Sequence, residues 1–374
     1  MSTERLVATF ISLARIDSPS RREAQIAGYC AALLADLGFD VRTDGAAALT
    51  GSNTGNVVAT LPPLDPGAPS LVLSAHLDCV QPCEGVEPVV AGGHVSSAGE
   101  TVLGADDKAG IAAILEAVHR AVEDGVRRGP IRVVLTVCEE IGLAGAKALD
   151  PAEVEGDLCL VLDADGPPGG IVVAAPTHYT FSAMFTGTAA HAGVAPEKGV
   201  SALVMAAEAI TAMRLGRLDE RTTANVGTIG GGTATNVVPS EVTVTGECRS
   251  LDDERVETVR GEMDDAMRAA ASAHGGRVET VWTREYGAFM VPADAPAIEA
   301  VRSACADLGI ESRLFTTGGG SDASIFASTG TPTLVLSCGM ENVHSVDERI
   351  AVDDLEALAA LVRAVIGRIS GHLG

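Results

Sequence analysis

The sequence predicts an α/β protein with a smaller domain inserted into a larger one, and three observations carry that expectation. Short apolar runs alternate with helical stretches up to about residue 165 and again after about residue 290. Between them the texture changes to strand, helix, strand, strand, helix, strand. Only 3% of the 374 residues are aromatic while 47% are apolar, so Ala, Val, Leu and Ile must fill the interior, which suits helix-on-sheet layers better than a β-sandwich. The length also exceeds what one core usually organises.

Taken in order, the N-terminal stretch reads as an amphipathic helix with Leu6, Phe10 and Leu13 on one face. Residues 20–38 form a second helix: Ser20-x-x-Glu23 resembles a capping box, Ile26, Cys30, Leu33 and Leu37 make a stripe, and Gly38 stops it. Strands follow at 56–61 and 70–76, then a helix at 107–125, a strand at 130–138, a short helix around 143–149 and a strand at 158–163. Such strands, covered on both faces, belong in a mostly parallel sheet. From His178 to Tyr286 the strands are 179–187, 222–229, 241–249 and 277–283, and the helices 199–215 and 252–276. In the third strand Val242, Val244, Gly246 and Cys248 share one face and Thr243, Thr245, Glu247 and Arg249 the other, so it is half-exposed. This βαββαβ unit is a two-layer module of ferredoxin-like type. A helix at 295–308, strands at 312–317 and 333–339, a short helix after Gly320 and a terminal helix at 352–369 resume the first texture. The expected domains are therefore 1–177 joined to 287–374, with 178–286 inserted.

Charge and composition exclude several classes. A formal net charge of −24 repels phosphate backbones and anionic headgroups, so neither nucleic acid nor membrane is an expected partner. The N-terminus carries Glu4, Arg5 and Arg15 in place of an uninterrupted apolar core, which does not read as a signal peptide, and a cytoplasmic location is expected. Eight cysteines are scattered through apolar segments and read as reduced core residues. The one close pair, Cys79 and Cys83, is a weak metal signal.

Acidic residues and histidines gather where apolar strands end. His76 and Asp78 follow one strand, Glu139 and Glu140 another, and Asp163 and Asp165 a third; Asp106 and Asp107 open a helix and His344 follows the strand 333–339. In open α/β sheets ligands bind beyond the carboxyl ends of strands. Singly, each residue has an ordinary structural reading: a hydrogen-bonded His76, an N-cap at Asp106, turn residues at 163 and 165, a solvated edge at Glu139–Glu140. Together they form a nitrogen and oxygen donor set suited to zinc, and also to cobalt or manganese. Two adjacent aspartates in a turn can supply a carboxylate that bridges two cations.

The segments "SAHLDCV", "LGADDKAG", "CEEIGLAG", "VLDADG", "GGGSDASIF" and "NVHSVDE" occur in the order seen in the acetylornithine deacetylase, succinyl-diaminopimelate desuccinylase and carboxypeptidase G family of di-zinc hydrolases. "GADDKAG", "EEIGLAGAK" and "DADGPPGG" most resemble its peptidase T (tripeptide aminopeptidase) branch, and the resemblance spans essentially the whole chain. It implies a zinc-peptidase-like catalytic domain with two Zn²⁺ ions, for which Co²⁺ or Mn²⁺ could substitute. His76 and Asp163 match ligands of one ion and Glu140 and His344 those of the other. Asp106 matches the bridging ligand, Asp78 the carboxylate that orients the His76 imidazole, and Glu139 the general base; Asp107 and Lys108 would be structural. Asp163 is preferred to Asp165 because it directly ends the apolar strand.

The implied reaction is hydrolysis of the N-terminal amide of small peptides, tripeptides foremost, by a metal-bridging hydroxide. In the inserted domain His191, Asn236 and Arg249 resemble substrate contacts, with Arg249 suited to a carboxylate and otherwise free to pair with Glu247 or Asp252. The glycine-rich loop with Gly319 and Ser321 could bind a substrate carboxylate through its N–H groups. Some relatives deliver the histidine across a dimer interface, so a homodimer through the inserted domain is a further implication. Three other readings compete: an N-acyl amino acid deacylase or desuccinylase, or a carboxypeptidase, of the same family; an inactive relative serving as a binding protein, which predicts a missing ligand or base; and a cofactor-binding α/β enzyme, for which no Gly-x-Gly-x-x-Gly follows a strand.

Overall fold

A computed structural model describes residues 2–372. The chain divides into two compact units: one of residues up to Val173, Met290–Thr316 and from Ser321 onward, the other of Ala174–Phe289 with Thr317–Gly320.

In the larger unit four mutually parallel strands form the middle of the sheet, in the order Ile131–Thr136, Leu71–His76, Leu158–Ala164, Thr333–Ser337. Antiparallel strands flank them, Val57–Leu61 and Asp40–Thr43 on one side and Gly170–Ala175 on the other. Because successive side chains alternate between faces, each strand serves two purposes. Leu71, Leu73, Ile131, Val133, Leu158, Leu160, Leu334 and Leu336 enter one continuous core with the helices Ser2–Ala14, Ala24–Asp36, Ala105–Glu123, Pro296–Leu308 and Val352–His372. The opposite face carries His76, Thr136, Asp163 and Ser337 near the carboxyl ends of neighbouring strands. Both faces are apolar along most of their length, with Val72, Val134, Val161 and Val335 buried on the second, and polar groups gather at the carboxyl ends.

Two local features differ from the sequence reading. A four-stranded antiparallel sheet joins Pro88–Ala91, His94–Ser97, Arg349–Ala351 and Met340–Glu341; its strands are too short to show alternation. The second helix begins at Ala24 without a side-chain cap, so Ser20 and Glu23 are not a capping box. The Ser20 hydroxyl donates to Asp78, and Glu23 turns inward, with its carboxylate fully buried.

The smaller unit is an antiparallel sheet in the order Gly216–Asp219, Thr222–Gly231, Glu241–Ser250, Thr177–Thr186, Arg277–Tyr286, with the helices Ala202–Ala212 and Asp253–Ala273 on one face. Apart from the short edge strand 216–219, this is the ferredoxin-like order. Phe181, Phe185, Met205, Val256, Met263 and Met267 fill its own core, together with Val242, Val244 and Cys248 from the alternating strand. Ser201 and Asp252 cap the two helices, accepting from the N–H groups of Val204 and Arg255.

Candidate metal centre

The strand ends of the larger unit bring the histidines and acids into one cluster. His76 Nε2 lies 3.0 Å from Asp106 Oδ1 and 3.6 Å from Asp163 Oδ1. His344 Nε2 lies 3.1 Å from Asp106 Oδ2 and 3.2 Å from Glu140 Oε1. Asp106 therefore shows one carboxylate oxygen to each histidine. Single donor atoms of His76, Asp106 and Glu140 all lie within 4.8 Å of one another, as do those of His76, Asp107 and Asp163. Asp163, rather than Asp165, is the aspartate beside His76.

Hydrogen bonding shows what the cluster lacks. His76 Nδ1 faces the Asp78 main-chain carbonyl at 2.9 Å; a carbonyl only accepts, so Nδ1 is the donor. In the neutral imidazole Nε2 is then a bare lone pair aimed at two carboxylates. Glu140 Oε1 is buried and, despite its proximity to His344, has no aligned hydrogen-bond partner. Lone pairs converging without enough protons between them describe a cation site, and imidazole nitrogen with carboxylate oxygen fits zinc, cobalt or manganese.

The electrostatics agree. Burial opposes charging His76, yet Asp106, Asp163 and Asp78 outweigh it and hold its pKa well above the ordinary value. Asp106 and Glu140 raise His344 to about 10. Burial also opposes ionisation of Asp106, but His344 and His76 prevail and depress it. Asp163 is pushed up to about 7, by burial first and by neighbouring Asp106 and Asp322 against the pull of His76. Glu139 is raised well above the carboxylate range by burial and then by Asp163. Its side-chain oxygens make no hydrogen bond to the described residues, which leaves their lone pairs available.

A second set of buried carboxylates holds the main chain of the turns that carry these groups. Asp78 accepts from the N–H groups of Glu139 and Glu140 at 2.9 and 3.2 Å and from the Ser20 hydroxyl at 2.6 Å. Its main-chain carbonyl accepts from His76 Nδ1, and its carboxylate, 3.6 Å from the same nitrogen, also holds the glutamate turn. Glu23 accepts from Cys138 N–H at 3.0 Å, while Cys138 sits in the left-handed region at φ 55°. Glu348 accepts from Gly104 and Asp106 N–H at 2.7 and 2.9 Å. Asp107 accepts from His76 N–H at 3.1 Å, and Lys108 donates to the Ile16 carbonyl at 2.8 Å. Thr136 donates to buried Asp322, whose other oxygen has no partner. Glu23, Glu348 and Asp322 were not singled out from sequence, because a lone acid that serves a distant N–H or hydroxyl leaves no local pattern. Cys79 and Cys83 are buried free thiols.

The remaining expected residues lie mostly in the smaller unit. His191 and Asn236 are exposed and come together: Ala192 N–H donates to the Asn236 carbonyl at 2.9 Å, and His191 bridges Val237. Arg249 is already engaged, donating to Glu247 at 3.0 Å and to the Gly318 carbonyl at 3.0 Å, while its buried Nε has no partner. Gly319 N–H is held by the Thr317 hydroxyl at 3.0 Å. Ser321, in the larger unit, is nearly buried.

Comparison with known proteins adds independent observations. The chain is 41% identical over 366 residues to YqjE, an uncharacterized protein of Bacillus subtilis (strain 168), covering 98% of both. It matches the crystal structure of aminopeptidase PepT from Bacillus cereus ATCC 10987 with a TM-score of 0.92 at 40% identity, and that of a tripeptidase from Staphylococcus aureus subsp. aureus Mu50 with 0.95 at 38%, covering 98% of both chains in each case. Residues 72–368 match Peptidase family M20/M25/M40. A cluster of nitrogen and oxygen donors short of protons, on a chain that matches this family over most of its length, leads to one conclusion: the protein is a metal-dependent peptidase belonging to the M20/M25/M40 family.

Proposed function

We propose that this enzyme removes the N-terminal residue of small peptides, tripeptides foremost, using two zinc ions. The observation that carries the reading is Asp106, which offers one oxygen beside each histidine. In this assignment His76 and Asp163 hold one ion, Glu140 and His344 the other, and Asp106 both; cobalt or manganese could take the place of zinc. Bound there, the ions would polarise the scissile carbonyl and lower the pKa of water from about 15.7 towards about 7. Glu139 takes the proton from the attacking water and delivers it to the leaving nitrogen. Its burial, and side-chain oxygens that make no hydrogen bond to the described residues, suit a group that must gain and lose a proton. Asp78 and Glu23 keep the turn beneath it fixed.

His191, Asn236, Arg249, Gly319 and Ser321 are assigned to substrate contact. Arg249 is the candidate for a substrate carboxylate, which would compete with the Gly318 carbonyl for its Nη1. The aminopeptidase and tripeptidase among the similar structures support the choice of substrate. A cytoplasmic role in peptide catabolism belongs to the same proposal and is supported by the free cysteines; no helix among the described residues is long and apolar enough to cross a membrane. A homodimer through the inserted unit is also proposed, and exposed Leu203 and Val204 on the helix Ala202–Ala212 support it. The deciding experiment offers tripeptides, dipeptides and N-acyl amino acids to the enzyme with zinc, cobalt or manganese. Release of the first residue from tripeptides is expected; turnover of N-acyl amino acids alone, or release of the last residue, would replace the proposal.

A further inference from the structure

One cavity that none of these assignments uses lies in the larger unit. It measures about 520 Å³ and is lined by Pro167, Pro168 and Phe315 as its apolar walls, with Asp165, Ser337 and Arg313 among its polar ones. A volume of ~300–1,000 Å³ is typical of pockets that hold small ligands.

Sheet register fixes where this cavity stands. Val335 pairs with Val161 and, across a bulge, Ser337 with Ala164, the residue next to Asp163, so Ser337 stands beside the strand end that carries Asp163. Neighbouring strands are ~4.8 Å apart, so the wall at Ser337 is one strand from the Asp163 ligand position and the wall at Gly170 is two. One extended peptide residue spans ~3.5 Å. A residue flanking the scissile bond can thus keep its carbonyl at the metal cluster and place its side chain in the cavity.

The charges decide which flank it is. Arg313 is committed to Glu311 through two contacts, at 3.2 and 2.8 Å. Asp165, two residues beyond Asp163, makes no hydrogen bond or ion pair to the described residues. The unpaired charge of the cavity wall is therefore negative. A carboxylate would be repelled there, whereas an ammonium would be held.

We infer that this cavity receives an apolar side chain of the substrate's N-terminal residue and that Asp165 binds its α-ammonium. The inference rests on the N-terminal cleavage proposed above and names the substrate class: free-amine peptides that begin with a sizeable apolar residue. Asp165 touches substrate in this assignment but neither holds metal nor moves the catalytic proton.

The test measures kcat/KM of the metal-loaded enzyme on Leu-Gly-Gly, Ala-Gly-Gly and N-acetyl-Leu-Gly-Gly. The wild type should favour Leu over Ala roughly tenfold or more and discriminate strongly against the acetylated peptide. Asp165→Asn should lower kcat/KM on both free-amine peptides roughly tenfold or more, shrink the discrimination against acetylation, and leave metal content and the Leu-to-Ala ratio unchanged. Phe315→Ala should reduce that ratio roughly fivefold. Wild-type kcat/KM for Asp165→Asn on free-amine peptides, or an unchanged ratio in Phe315→Ala, overturns the assignment while N-terminal cleavage stands. A wild type that releases the last residue, or acts only on N-acyl amino acids, overturns N-terminal cleavage and this assignment with it.

Discussion

The two units handle charge in opposite ways. In the smaller one the acids meet donors of their own: Glu247 accepts from His178 at 2.9 Å and from Arg249 at 3.0 Å, and Asp264 from Arg268, Thr280 and Trp282. In the larger one two histidines face Asp106, Asp163 and Glu140, with Glu139, Asp107 and Asp322 buried close by. Buried charge is tolerable only when it is paired. These acids of the smaller unit are closed by their own donors, whereas the cluster of the larger one fits cations.

The sharpest way to test that contrast is to remove the proton carrier proposed above without touching the proposed ligands. Glu139→Gln should lower kcat by roughly 10²- to 10⁴-fold with unchanged metal content by mass spectrometry; near-normal turnover would take Glu139 out of its assigned role. Glu140→Gln should do the reverse and lose metal first, which the same measurement reads. Chelation tests the contrast between units directly. Hydrogen exchange should rise in the turns around residues 104–108, 138–144 and 342–348 and stay constant in 222–250, and readdition of zinc at a hundred times its Kd should restore about 2.7 kcal/mol. Equal loosening of both units would break the comparison.

Smaller effects probe the supporting carboxylates. Glu23→Gln and Asp78→Asn should each reduce kcat roughly 10- to 100-fold with little change in KM, since they hold the main chain beneath the glutamates and do not meet substrate. A rise in KM alone would argue against that role. The smallest effect belongs to the closed unit. His178, against the opposing effect of burial and with help from Arg249, lowers Glu247 from 4.5 to about 2. A depressed acid stabilises the folded state fully above its unfolded pKa and loses that contribution as pH falls through the folded one, so the window runs from about 4.5 down to about 2. Trp282, the sole tryptophan, lies in this unit and reports the transition by fluorescence. Glu247→Gln should flatten it.

The residues of the cluster were legible because they follow from strand ends, and strands declare themselves through apolar runs. His76, Glu140 and Asp163 are found by asking where each run stops. The inserted unit was legible for a related reason, since one half-exposed strand, 241–249, alternates in sequence, with Val242, Val244 and Cys248 buried. The supporting acids were not legible. Glu23 meets Cys138 across 115 positions and Glu348 meets Asp106 across 242. Locally, Ser20-x-x-Glu23 is indistinguishable from a helix start, and only the folded chain shows Ser20 bonded to Asp78 and Glu23 to the Cys138 N–H instead. Arg249 illustrates the same limit: its polar face was readable, but its contact with the Gly318 carbonyl was not.

That last contact has a practical consequence. Thr317–Gly320 groups with the smaller unit although it lies far outside the inserted stretch. Gly320 sits so close to the Tyr286 ring that any side chain at that position would collide with it. The insertion is therefore not a cassette with two ends. Excising residues 174–289, or exchanging them for a homologous segment, would strip this glycine strip of Arg249 and Tyr286, and a chimera intended to alter specificity has to carry residues 317–320 along with the segment they belong to.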